Sequence, residues 1–187
     1  MIVGLAIGLA LLIQAFVVKP YQIPSGSMEP TLHIGQRVLV NRVIYHVRSP
    51  HIGDIVVFHP PEGAVNGGRE CGVHVPPRSA CPRPTPQESS TNFIKRIVAG
   101  PGDRLSIVHG VPVVDGKPAH ESFTDPCRGG GDCNFPKPIT IPQGMYFMMG
   151  DNRGHSEDSR FFGPIPQSWF IGEAFFTYWP PDRIGFL

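Results

Sequence analysis

The sequence predicts a mainly β fold: antiparallel sheets in a Greek-key or barrel-like core with a β-rich insertion, preceded by an N-terminal transmembrane helix. Three observations predict it. Gly and Pro contribute 22 residues each to a chain of 187, which suits short strands joined by turns and disfavours a helical bundle. They follow no Gly-X-Y period, so a collagen is excluded. Second, short runs of β-branched and aromatic residues are separated by turn residues, with no internal repeat and no βαβ alternation. Third, the chain starts with a long stretch free of charge. The length fits one domain, or one core with a sizeable insertion. Hydrophobic residues at 41% against 17% charged exclude an intrinsically disordered chain. A net charge of +1 without a basic stripe excludes a nucleic-acid-binding surface.

The uncharged start runs from Ile2 to Val18, 17 positions with Gln14 as the one clearly polar side chain. As a helix it would measure about 26 Å, against about 30 Å for a bilayer's hydrocarbon core. A cleaved leader would want a basic start, and the first cation is Lys19. A buried core helix would show a polar face, and this run has none. The expectation is a membrane anchor over 1–19, without the basic flank that would orient it. One folded body over 20–187 then lies on one side of the bilayer.

Within that body, Arg37–Tyr45 (RVLVNRVIY) reads as a strand with Val38, Val40 and Val43 in alternation. Gly53–Phe58 is a short β-rich run opened by a turn signal. The stretch 62–91 is long, rich in Pro and Gly, and aperiodic, as surface insertions are. Asn92–Ala99 (NFIKRIVA) is a strand closed by Gly100-Pro101-Gly102-Asp103. Val108–Val114, Met145–Met149 and Phe170–Trp179 complete the set, and 115–140 follows no motif. Cys71 with Cys81, and Cys127 with Cys133, form two local groups in loop-like surroundings. Beside a membrane anchor, two local disulfides are the natural reading, each stabilising by about 2–3 kcal/mol through loop closure. Zinc on Cys71, His74 and Cys81 is the rival, but the spacing matches no familiar finger. No metal and no cofactor are expected.

Three segments carry candidate chemistry. Ile23–Leu32 (IPSGSMEPTL) sets two serines around a glycine just after the uncharged run. A plain turn would look the same, and a nucleophilic serine needs a base because its hydroxyl is weak at neutral pH. No GxSxG elbow surrounds either serine, and with eight histidines a Ser-His-Asp arrangement stays open. Lys95 is a second candidate base. In a strand it shares its face with Phe93 and Ile97, while Arg96 goes with Ile94 and Val98, so one of the two cations lies along apolar surface. An ordinary lysine, with a pKa near 10.4, is neutral only about once in a few thousand at pH 7. Burial that lowers the pKa by about 2–3 units would change that. The alternative is an edge-strand lysine with its amine in water. The third segment, Met149–Gly163 (MGDNRGHSEDSRFFG), is either an ion-paired surface loop or part of a site; calcium is disfavoured because the EF-hand spacing is absent.

Together, and in this order behind an anchor, the three segments resemble bacterial type I signal peptidase, the membrane-bound Ser-Lys protease family. The serine segment ending in Ser27-Met28 resembles its nucleophile box. Lys95-Arg96 followed by Pro101-Gly102-Asp103 resembles its general-base box, and Gly150–Arg160 its Gly-Asp-Asn-Arg…Ser-x-Asp-Ser-Arg box. The matches run from about Val17 to Arg104, broken by the insertion, and from about Gly144 to Pro166. The absent basic lead and Ala99-Gly100 before Pro101 depart from the pattern.

The resemblance implies a serine endopeptidase that removes signal peptides from exported preproteins after Ala-x-Ala. Ser27 would be the nucleophile and Lys95 the general base. The Ser25 hydroxyl and the Ser27 N–H would meet the oxyanion, and Ser156 would orient Lys95. Arg96, Asp151, Asp158 and Arg160 would form the supporting ion pairs. Ile23, Pro24, Met28, Leu32, Phe93 and Ile94 are candidates for the apolar substrate pocket, with ordinary core packing as the alternative. The implied partners are signal peptides, the lipid bilayer and the export translocon, with no nucleic acid, for a monomer. The implied location is the bacterial cytoplasmic membrane, single-pass, with the catalytic body on the extracytoplasmic face. Two other readings stay open: a different, self-cleaving Ser-Lys peptidase, and a non-catalytic, membrane-anchored, disulfide-stapled β module.

Overall fold

The computed structural model describes residues 17–67, 69–128 and 131–187. The anchor expected over 1–19 lies almost wholly outside them. Its last two residues, Val18 and Lys19, instead open strand β1 (Val18–Gln22). Among the described residues, no helix is long and apolar enough to cross a membrane.

The fold is mainly β and every named strand pair is antiparallel. The further strands are β2 (Arg37–Asn41), β3 (Ile55–Phe58), β4 (Phe93–Ala99), β5 (Arg104–Val108), β6 (Val111–Val114), β7 (Lys117–Pro118), β8 (Phe135–Thr140), β9 (Met145–Met149), β10 (Ile165–Pro166), β11 (Phe170–Trp179) and β12 (Gly185–Phe186). The larger sheet runs β1-β2-β11-β3-β4-β9-β10, with β12 beside β11; the smaller runs β7-β6-β5-β8. The long β11 thus inserts between β2 and β3, far from both in sequence.

Alternation explains the packing. All four residues of β3 are buried because both its faces are covered. Val56 and Phe58 pack with Ile97, Met148 and Phe162, whereas Ile55 and Val57 pack with Val38, Val40 and Ile94. In β9, Phe147 and Met149 turn toward Leu105, Ile107 and Ile139, joining the two sheets.

Three expectations need correction. The strand expected over Arg37–Tyr45 stops at Asn41, and Val43 is exposed. The Asn41 side chain accepts the Val43 N–H at 3.1 Å, turning the chain into a one-turn helix, Ile44–Val47. The strand expected over Val108–Val114 is two strands, β5 and β6, because the chain reverses at His109-Gly110, both with positive φ. The motif-free stretch 115–140 contains β8, FPKPIT, which holds two prolines because it lies at a sheet edge where a missing N–H is tolerated. Cys71 with Cys81 and Cys127 with Cys133 are disulfide-bonded.

Candidate active site

The serine turn is pinned from below. Ile23 leaves β1 buried, and its N–H donates to the Gln36 carbonyl at 2.8 Å while its carbonyl accepts from Gly35. The 3-10 turn Gly26–Met28 follows, and the buried Met28 and Leu32 beneath it anchor it in the core. Both are fully buried and lie outside the cleft lining, so these two pocket candidates are core residues. The turn presents Ser27 toward β4.

Lys95 rises from the middle of β4, between β3 and β9. Its Nζ donates to Ser27 Oγ at 2.5 Å, and it stands 5.5 Å from the Phe93 ring centre, on the side that strand alternation assigns. Ser25 Oγ lies 3.4 Å from Ser27 Oγ. Lys95 is only 4% exposed. Burial disfavours the ammonium and pushes the pKa down to about 8; the Asp158 carboxylate opposes this shift and the Arg160 charge adds to it. At pH 7 about a tenth of such lysines are neutral, hundreds of times more than for an exposed one.

Two arginine–carboxylate forks frame this pair. Arg96 donates through Nε and Nη2 to the two Asp151 carboxylate oxygens at 2.9 and 2.7 Å, and Thr31 Oγ1 donates to Asp151 as well. Arg160 grips Asp158 in the same way at 2.7 and 2.9 Å. Burial works to raise the Asp158 carboxyl, but the Arg160 charge, its hydrogen bonds and the Gly150 N–H outweigh it and hold the group below the usual range. Ser156 Oγ is buried, and no hydrogen bond joins it to Lys95 among the described residues.

Some residues at the site carry no role in the sequence reading. The Asn152 N–H donates to the Ser27 carbonyl at 3.1 Å, and its Nδ2 to the Gly26 carbonyl at 3.2 Å. These bonds tie the third segment to the serine turn. Gly150 is required by close approach: a Cβ there would lie 2.3 Å from both the Ser27 carbonyl and Ser156 Oγ. Asn152 and Gly150 both fall inside the Gly150–Arg160 motif, so the signal was present, but only folding shows what they touch.

Ser27 and Lys95 lie in a cleft of about 690 Å³. Ile23, Pro24, Val57, Phe93 and Ile94 supply apolar wall; Ser25, Asn152, His155 and Glu157 supply polar wall. The structure therefore brings Ser25, Ser27, Lys95, Ile23, Pro24, Phe93 and Ile94 together and keeps the cysteines out of the lining.

Residues 1–179 match the family described as Signal peptidase, peptidase S26. A probable signal peptidase I-1 of Synechocystis is 39% identical over 97% of this chain and 82% of its own length. A signal peptidase I of Leptolyngbya laminosa is 34% identical over 99% of this chain and 80% of its own. A crystal structure of a signal peptidase I from Enterococcus faecalis aligns with a TM-score of 0.41 at 21% identity, covering 68% of this chain and 97% of that one. A family match over nearly the full length, with relatives above 30% identity along most of their own chains, means that the chain belongs to the signal peptidase family, peptidase S26.

Proposed function

We propose that this chain is a membrane-associated serine endopeptidase that removes N-terminal signal peptides from exported preproteins, with Ser27 as nucleophile and Lys95 as general base. The observation that carries the assignment of roles is the 2.5 Å contact between a buried lysine amine and Ser27 Oγ, both lining the cleft. Ser27 Oγ attacks the scissile carbonyl carbon as its proton passes to neutral Lys95. The new oxyanion is met by the Ser25 hydroxyl and the Ser27 N–H; removing one such donor typically costs about 3–4 kcal/mol of transition-state stabilisation. The C–N bond breaks, Lys95 returns the proton to the leaving amine, and the acyl-enzyme forms. Lys95 then takes a proton from water, the hydroxide releases the signal peptide, and Ser27 regains its proton.

The substrate lies extended between Ile23–Ser25 and Asn92–Ile94, pairing with backbone there. Shallow apolar walls from Ile23, Pro24, Phe93 and Ile94 select small residues at −1 and −3. The uncharged run before β1 anchors residues 20–187 to the extracytoplasmic face of the bacterial cytoplasmic membrane in a single pass, where a monomer meets preproteins at the export translocon. Cleavage of a purified preprotein with an Ala-x-Ala site, in detergent, tests the reading. Wild type should cut at the expected bond, and Ser27→Ala and Lys95→Ala should not, while circular dichroism shows both folded. Cleavage retained in both variants would overturn it.

A further inference from the structure

We propose that Glu121 and Phe123, from the stretch without a motif, are positioning residues of the catalytic centre. The inference rests on the Ser27–Lys95 reading above. Both side chains close on arginines that flank the site. Glu121 Oε2 stands 2.6 Å from Arg153 Nη1, and the two side chains are 11% and 2% exposed. Among the described residues Arg153 has no other carboxylate partner; the contact is an ion pair rather than an aligned hydrogen bond, since Glu121 Oε2 and Arg153 Nη2 have no hydrogen bond while Arg153 Nη1 donates to the Gly110 carbonyl at 2.7 Å. The Phe123 ring covers the Arg96 guanidinium, 4.2 Å from ring centre to guanidinium carbon.

Backbone bonds join the same segment to the third motif. The Asp125 N–H donates to the Asp151 carbonyl at 2.9 Å, and the Arg153 N–H donates to the Asp125 carbonyl at 3.0 Å. This is a short parallel bridge between Asp125 and Asn152. The load passes inward by two routes. Arg153 Nε donates to the Gly150 carbonyl at 3.0 Å, at the residue with no room for a Cβ against Ser27 and Ser156. Asn152 holds the Gly26 and Ser27 carbonyls.

Electrostatics gives the direction of the effect. Without Glu121, the Arg153 guanidinium would be buried with no counter-charge, held only by the Gly110 and Gly150 carbonyls, and its grip on the Gly150 carbonyl weakens. Without the Phe123 ring, water reaches the Arg96–Asp151 fork and loosens the residue before Asn152. Either change moves Ser27 relative to Lys95 while the apolar walls Phe93 and Ile94 stay in place. A small misplacement of reacting atoms is enough to slow the chemical step strongly.

The test uses the full chain in detergent with a peptide substrate. Glu121→Ala and Phe123→Ala should each lower kcat about tenfold or more with KM within twofold of wild type. Phe123→Tyr keeps a ring over Arg96 and should stay within twofold in kcat. Hydrogen exchange of the Asn152 amide, read in the same variants, should accelerate about tenfold in the alanine variants and not in Phe123→Tyr. Should Glu121→Ala fail to fold, Glu121→Gln, which keeps the shape and loses the charge, takes its place. Wild-type kcat in the folded alanine variants, or unchanged Asn152 exchange, overturns the proposal. A wild type that cuts no substrate defeats the functional reading instead, while the exchange data still decide whether this segment holds the serine turn.

Discussion

As the proposed base, Lys95 would set the pH dependence of cleavage, and its burial costs the fold stability. With its pKa down at about 8, the fraction of neutral base rises tenfold per pH unit below 8 and levels off above it. Log kcat/KM for a peptide should therefore climb with unit slope from pH 6 and bend near 8; a bend near 10 would show an ordinary lysine. The same shift has a stability consequence. Below about pH 8 the folded and unfolded chains both hold the proton, and the folded state bears the full burial cost, about 3 kcal/mol. Between 8 and about 10.5 the folded chain deprotonates first, so stability rises with pH. Urea unfolding should show Lys95→Met inactive yet more stable than wild type at pH 7, with the gap closing toward pH 10. Gly150 is the other single residue with a sharp expectation. Gly150→Ala brings a Cβ to 2.3 Å from the Ser27 carbonyl and Ser156 Oγ. The turn must shift, and kcat should fall about a hundredfold in a peptide assay.

At the scale of elements, the segment after β9 is a scaffold for both the serine turn and β4. Its Asp158 caps the helix Ser159–Phe162, accepts the Gly150 N–H and pairs with Arg160. Removing it strands a buried guanidinium, so Asp158→Ala should cost about 3–5 kcal/mol in chemical denaturation. It should also lower the Lys95 pKa further, because the Asp158 carboxylate favours the ammonium. In whatever folds, the acid limb of the rate profile should move below pH 8. The strands β3, β4, β9 and β11 were legible as alternating or fully apolar runs because their burial repeats with the period of the pleat. β1, β5 and β8 were not. Val18-Lys19-Pro20 looks like the end of an apolar run, Arg104–Val108 hides beside a tight turn, and β8 carries two prolines that local propensity rejects.

Across the whole molecule, the two motif-free stretches meet each other and the site. Ser79 bridges to Lys137, Arg69 pairs with Asp132 and Glu157, and the Cys81 N–H donates to the Arg160 carbonyl. The Cys71–Cys81 disulfide therefore closes a loop whose end is bonded to the Asp158–Arg160 fork. For a separation of 10 residues, loop closure is worth about 2–3 kcal/mol. Cys71→Ser/Cys81→Ser should lose that amount in urea unfolding, and mass mapping of the unreduced protein should find no free thiol.

Sequence alone determined the β class, the three family motifs and their order, and the strand face that Lys95 shares with Phe93. These depend on local chemistry: turn residues, period-two alternation, and serine and lysine in distinctive neighbourhoods. Only the tertiary structure decided that β11 lies between β2 and β3, that Met28 and Leu32 are core rather than cleft, that Asn152 holds the serine turn where Gly150 lets it approach, and that the 121–125 segment contacts two arginines beside the site. Each of these is a contact between residues far apart in the chain. Which distant surfaces meet is set by how all the buried faces pack at once, and no local pattern encodes it.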